Sequence, residues 1–413
     1  MKTSWLIKNA TILDRNSTFN GQSVDLHIHQ GMIVDVGPNL NPSSRVKIID
    51  EPDVYVTPGW FDLRSSAPDP GNELRESIAA LQESARIGGY TSVLYMATGV
   101  SADCVSVLRY ILSASSSSGV KLFPAAAYSE GRKGKQMTEM YDLQREGAVA
   151  FSDFNHLASS ELLSRVMEYG RDLNAPIFLF PMEEFAGGQI HEGLTSVATG
   201  LKGIPHWIET VAVQRIISLS KYYDTPVHLE LISCAESVEL VRAAKKSGVK
   251  ISCGVSPMHL YFTDASLNTF DSNLKVLPPL RSHEDSKALL KGLRDGTIDV
   301  VVSDHSPVDV EQKLCEFDLA EWGAIQLQHS FLTALNACSK SLPIVDFCEK
   351  FSCDPYRIIG IKAPVIEKNT PALISCFSTS GETVISKDQI ASVARNTPLI
   401  GTSLKGRVFP ILD

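Results

Sequence analysis

The sequence predicts an α/β protein: a (β/α)8 TIM-type barrel with a small composite β-domain made from the two chain ends. Three observations carry this. Short apolar runs alternate with helix-length amphipathic segments through the middle of the chain, the pattern of parallel strands joined by right-handed crossovers. Eight such runs fit a closed barrel better than an open, doubly wound sheet. Both ends lack long helical patterns and read as short strands and turns, and chain termini often lie close enough to pair. The length of 413 residues agrees, because an α/β barrel alone takes about 250 residues.

In chain order, Ser4–Leu6, Asp25–Ile28 and Met32–Val36 alternate apolar and polar residues, with Gly31 and Gly37 as punctuation. The eight central runs are Val54–Phe61, Ser92–Met96, Lys121–Ala126, Ala148–Ser152, Ile177–Phe180, Val227–Ile232, Lys250–Val255 and Asp299–Ser303. Helical periodicity lies between most of them, over Glu73–Ile87, Ala102–Leu112, Ser159–Leu173, Ile208–Tyr223, Ala235–Ser247 and Asp285–Leu293. The serine-rich stretch Ser113–Ser118 reads as a loop. Ala372–Cys376, Thr383–Ser386 and Arg407–Ile411 are strand-like again. The expected division is a composite β-domain from residues 1–53 and 362–413, around a barrel from 54–361.

Composition narrows the function classes. Hydrophobic residues make up 44% and charged residues 21%, as in an ordinary soluble globular protein. A net charge of −9 argues against a general binder of nucleic-acid phosphates. No run of about 18 apolar residues predicts a membrane span, and no signal-peptide h-region follows the N-terminus. The eight cysteines are scattered with no CxxC pair, which reads as a cytoplasmic protein with reduced thiols. Ten histidines would be ample for a metal enzyme, so their placement matters.

In such a barrel, chemistry sits at the C-terminal ends of the strands and in the loops after them. Those places read Asp62-Leu63-Arg64-Ser65-Ser66-Ala67-Pro68, Asp153-Phe154-Asn155, Phe180-Pro181-Met182-Glu183, His228-Leu229-Glu230-Leu231, Ser256-Pro257-Met258-His259 and Ser303-Asp304-His305-Ser306-Pro307. With Pro58-Gly59-Trp60-Phe61, Gly147-Ala148-Val149-Ala150-Phe151-Ser152 and Asn273-Leu274-Lys275-Val276-Leu277-Pro278-Pro279-Leu280-Arg281, the chain resembles the dihydroorotases, of the cyclic amidohydrolase branch of the amidohydrolase superfamily. The resemblance spans nearly the whole chain. It implies a barrel, a two-ended β-domain and a zinc site that activates water.

Position by position, the resemblance also implies a loss. The family's His-x-His zinc pair on the first strand falls on Arg64 and Ser66, and Arg stays protonated and cannot ligate zinc. The histidines after strands five and six fall on Phe180 and Leu231. The carboxylate after strand four is kept as Asp153, and the metal-binding base after strand eight as Asp304. The substrate-gripping Arg falls on Pro68, and the substrate asparagines fall on Thr98 and Leu277. After strand seven only His259 remains. Two carboxylates without imidazoles make a poor zinc site, so no metal or other cofactor is expected, and Arg64 is expected to pair with Asp153 or Asp304. His27-Ile28-His29 has ligand spacing but precedes the barrel, and reads as a surface pair.

The leading expectation is therefore a dihydroorotase-like protein of pyrimidine biosynthesis that has lost catalysis. It would act as a structural or regulatory partner, for example of aspartate transcarbamoylase, or self-associate as a homo-oligomer. The alternative is an active dihydroorotase or related cyclic amidohydrolase, hydrolysing a cyclic amide C–N bond with a rebuilt or single-metal site from Asp153, His228, Asp304 and His305. A third reading has Arg64 bind an anion without chemistry.

Overall fold

The computed structural model describes residues 4–42, 46–114, 119–173, 175–185, 187–338 and 341–411. Ser115–Ser118, the core of the expected serine-rich loop, lie outside the described residues. Eight parallel strands form one sheet in chain order: Trp60–Ala67, Tyr90–Ala97, Lys121–Ala126, Ala150–Ser152, Ile177–Leu179, Val227–Leu229, Ile251–Val255 and Val300–Val301. The edges of this sheet meet through single bonds. Ser66 N–H donates to the His305 carbonyl at 2.9 Å, and Ser65 bridges His305 in parallel. The buried Asp62 carboxylate accepts from the Ser303 amide at 2.6 Å and its hydroxyl at 2.7 Å.

Strand alternation divides the apolar residues between two cores. Phe61, Leu63, Leu94, Met96, Phe123, Phe178, Val300 and Val302 belong to one cluster, inside the barrel. Val93, Tyr95, Leu122, Phe151, Ile177, Leu179 and Val301 pack outward with helix residues Leu81, Leu108, Leu163, Ile216, Val238 and Leu289. Both faces of the strands are thus buried, as parallel sheets require.

The two chain ends build a second, seven-stranded sheet. Strand Ile374–Val384 pairs antiparallel with Ser403–Phe409 on one side and with Val54–Pro58 on the other. Trp5–Ile12 continues the sheet, pairing with Ser23–His29, Lys47–Ile49 and Val54–Pro58. The apolar run read as one strand, Val54–Phe61, is therefore divided: Val54–Pro58 joins the terminal sheet and Trp60 opens the barrel. Gly59 between them faces Thr91, whose Oγ1 would lie 2.2 Å from any added Cβ, so close approach requires the glycine.

Two further elements differ from expectation. The segments Ala372–Cys376 and Thr383–Ser386 belong to one strand with an irregular register between Ser378 and Glu382; a bulge interrupts its alternation. The helix read from Glu73 starts at Ile78, because Ser77 accepts from the Ala80 amide and Asp69 accepts from the Ile78 amide at 2.8 Å. Those caps satisfy the free donors of its first turn.

Candidate active site at the barrel mouth

Arg64 occupies the centre of the mouth. Its side chain is 1% exposed, and every polar group around it comes from a different strand end. Nε donates to Asp304 Oδ1 at 2.8 Å, NH1 pairs with Glu230 Oε2, and NH2 donates to Asn155 Oδ1. Its guanidinium carbon lies 4.6 Å from the ring centre of Phe154 and 5.1 Å from that of Phe180, within cation–π range. Burial works against the Arg64 charge, while Asp304 and Asp62 favour it. Burial likewise pushes the Asp304 carboxyl up to about 6, against the pull of Arg64.

Phe154 and Asp304 both adopt positive φ, 57° and 54°. An aspartate tolerates that region better than a phenylalanine. These two residues, on the loops after the fourth and eighth strands, thus flank Arg64 with local backbone strain, a feature concentrated at functional sites.

Of the two expected partners, Asp153 or Asp304, the structure selects one. Arg64 does meet Asp304, but not Asp153. That carboxylate accepts from the Ser129 amide at 3.0 Å and from the Ser129 hydroxyl, and burial pushes it up to about 7. The second anion at Arg64 is Glu230, which also accepts from Ser152 Oγ. Sequence reasoning gave Glu230 and Asn155 no role. Alternation along strand six held the signal for Glu230, since it puts His228 and Glu230 on one face. A buried glutamate needs a cation, and Arg64 supplies it.

The remaining positions are occupied by packing. Ser66 Oγ donates to the His305 carbonyl at 3.0 Å. Phe180 and Leu231 lie in the apolar cluster inside the barrel, with Leu277 packed against it. Pro68 is buried, and the Thr98 amide donates to the Ala67 carbonyl at 2.9 Å. His259 Nε2 meets the Pro278 carbonyl at 3.0 Å, anchoring that loop.

The four residues of the rebuilt-site alternative hold separate partners. His228 Nδ1 is 2.8 Å from Ser252 Oγ, and burial pushes its imidazole down to about 3. His305 Nδ1 accepts from the Gln326 and Leu327 amides, both at 3.3 Å, and burial pushes it to about 3 as well. Asp153 is tied to Ser129 and Asp304 to Arg64, as above. His27 and His29 both approach Ser4 Oγ, at 3.2 and 3.4 Å.

The zinc implied by the resemblance does not fit this donor set. A guanidinium stands between the carboxylates of Glu230 and Asp304, and zinc sites rest on three or four lone-pair donors.

No protein-family profile matches the chain. Among solved structures, an L-hydantoinase from Arthrobacter aurescens superposes with a TM-score of 0.83 at 20% identity, covering 99% of this chain and 94% of its own. A D-hydantoinase superposes at 0.79 with 17% identity, over 98% and 93%. The fold is thus that of the cyclic amidohydrolase barrels. Sequence comparison narrows the class. A protein named dihydroorotase from Pelobacter propionicus is 32% identical over 407 residues, 97% of this chain and 96% of its own. One of the same name from Acetivibrio thermocellus is 34% identical over 411 residues, 98% and 96%. The chain belongs to the dihydroorotase family.

Proposed function

We propose that this member of the dihydroorotase family does not hydrolyse dihydroorotate. It serves pyrimidine biosynthesis as a structural or regulatory partner, of aspartate transcarbamoylase or of further copies of itself. One observation carries the reading: Arg64 sits buried between Glu230 and Asp304, stacked against Phe154 and Phe180. Opening a cyclic amide needs an activated water and a base free to move a proton. Asp304, at the base position, is engaged by a fixed cation, and that guanidinium stands where lone-pair donors for zinc would be needed. Loss of the pocket's chemistry leaves folding and surfaces as the properties under selection.

The test is an assay of the purified full chain with dihydroorotate and with carbamoyl aspartate, with and without added zinc. The expected result is no turnover above the buffer blank in either direction. Turnover that Asp304→Asn abolishes would overturn the reading. For the partner, co-purification with aspartate transcarbamoylase at micromolar concentration is expected, or a concentration-dependent oligomer of the chain alone. A monomer that captures neither counts against it.

A further inference from the structure

A second cluster of ligand-type side chains lies outside the Arg64 centre. Two short strands, Ile190–His191 and Gly203–Ile204, pair in parallel. Their pairing carries His191 beside His206, which directly precedes the helix Trp207–Tyr223. The two imidazole rings stand 4.6 Å apart at 60°. Asp285, in the first turn of the helix His283–Arg294, completes the group. One donor atom from each of the three lies within 4.8 Å of the others. His206 Nε2 is 3.5 Å from Asp285 Oδ2. Bonds of zinc length to nitrogen and oxygen would set two tetrahedral ligands about 3.4 Å apart.

The surroundings suit a cation. Asp285 is oriented by the Ala235 amide at 2.8 Å and the Ser282 hydroxyl at 2.6 Å, the kind of outer support that metal-binding carboxylates receive. Arg281 is the nearby positive charge, but its NH2 is 3.4 Å from Glu209 Oε2. With that pair neutral, Asp285 leaves the cluster one negative charge. The contacts an ion would displace are long: His206 Nε2 to Asp285 Oδ2 at 3.5 Å, and Arg281 NH1 to His191 Nδ1 at 3.4 Å, where Arg281 also donates to the Ile204 carbonyl at 3.2 Å. The Arg281 contact also marks Nδ1 as the unprotonated, lone-pair nitrogen of His191. Burial and Arg281 push the His191 imidazole down to about 4, so it is neutral near pH 7. The His206 side chain is 42% exposed, which gives an ion a path from solvent.

We propose that His191, His206 and Asp285 form a binding site for a divalent transition-metal ion of the zinc type, with the fourth coordination position open to water or a small anion. The ion would tie the 190–206 segment to the start of the helix His283–Arg294. This proposal is independent of the reading of the Arg64 centre.

The test is equilibrium dialysis of chelator-treated full chain against Zn²⁺ or Co²⁺, with thermal unfolding on the same samples. The expected result is one ion bound per chain and a melting temperature that rises with metal, since an ion bound only by the folded state stabilises it. His191→Gln and His206→Gln should each abolish both effects. Because His206 is partly exposed, His206→Gln tests the site even if His191→Gln folds poorly. No uptake at millimolar metal, uptake retained in His206→Gln, or uptake lost in Asp304→Asn would overturn the proposal.

Discussion

At position 64 stands a permanent cation, and the buried carboxylates around it need positive charge. Glu230 is fully buried and Asp304 nearly so. Removing the cation alone leaves both uncompensated. Arg64→Met is therefore expected to destabilise the fold by about 3–5 kcal/mol, measured by urea unfolding. The triple variant Arg64→Met, Glu230→Gln, Asp304→Asn should recover most of that loss, because replacing a whole buried ion cluster is close to neutral. If the single variant is as stable as the parent, Arg64 does not neutralise this site. The sequence showed that Arg64 could not hold zinc, since that follows from its chemistry. It did not show Glu230 as partner, since which strand ends converge depends on barrel closure.

Among the elements, the segment Ser392–Ala394 is tethered to the barrel by one carboxylate. Glu76 Oε2 accepts from the Ser392 hydroxyl at 2.6 Å and from the Val393 and Ala394 amides at 2.9 and 3.2 Å. Burial raises the Glu76 carboxyl to about 7, whereas an unfolded glutamate titrates near about 4.3. The folded state thus holds its proton longer than the unfolded state. Its stabilising contribution is complete below about pH 4.3 and is lost as pH rises through about 7. Glu76→Gln removes this titration. Its stability relative to the parent should therefore improve between pH 4 and pH 8 by on the order of 3 kcal/mol, read from denaturant midpoints across pH. A difference that stays flat over that range would assign the tether no titration. Neither Glu76 nor its loop stood out in the sequence, because their contact spans more than 300 positions of chain.

At the scale of the molecule, the barrel and the terminal sheet share a core. Trp60 of the first barrel strand stacks on Phe331 at 3.8 Å, and Phe331 meets Phe377 of the terminal sheet at 4.7 Å. Phe351 lies against both Trp60 and Phe331. Aromatic contacts of this kind add to the area they bury. The two parts are expected to unfold together, with tryptophan fluorescence and far-ultraviolet circular dichroism giving coincident transitions. Phe377→Ala should cost about 3–5 kcal/mol and shift both probes equally. Two separated transitions would mean that the sheet folds apart from the barrel. Among the described residues no helix is long and apolar enough to cross a membrane.

The alternation of apolar runs and amphipathic segments determined the barrel, because parallel strands buried on both faces need continuous apolar runs and a helix after each. The residue types at strand ends determined what Arg64, Phe180 and Leu231 could not do, since ligand chemistry belongs to the side chain. Tertiary structure alone decided the rest. It gave Val54–Pro58 to the terminal sheet, Asp153 to Ser129 and Glu230 to Arg64, and it brought His191, His206 and Asp285 into one cluster. Each of these joins residues distant in the chain. Their meeting depends on strand register and closure, which no local pattern encodes.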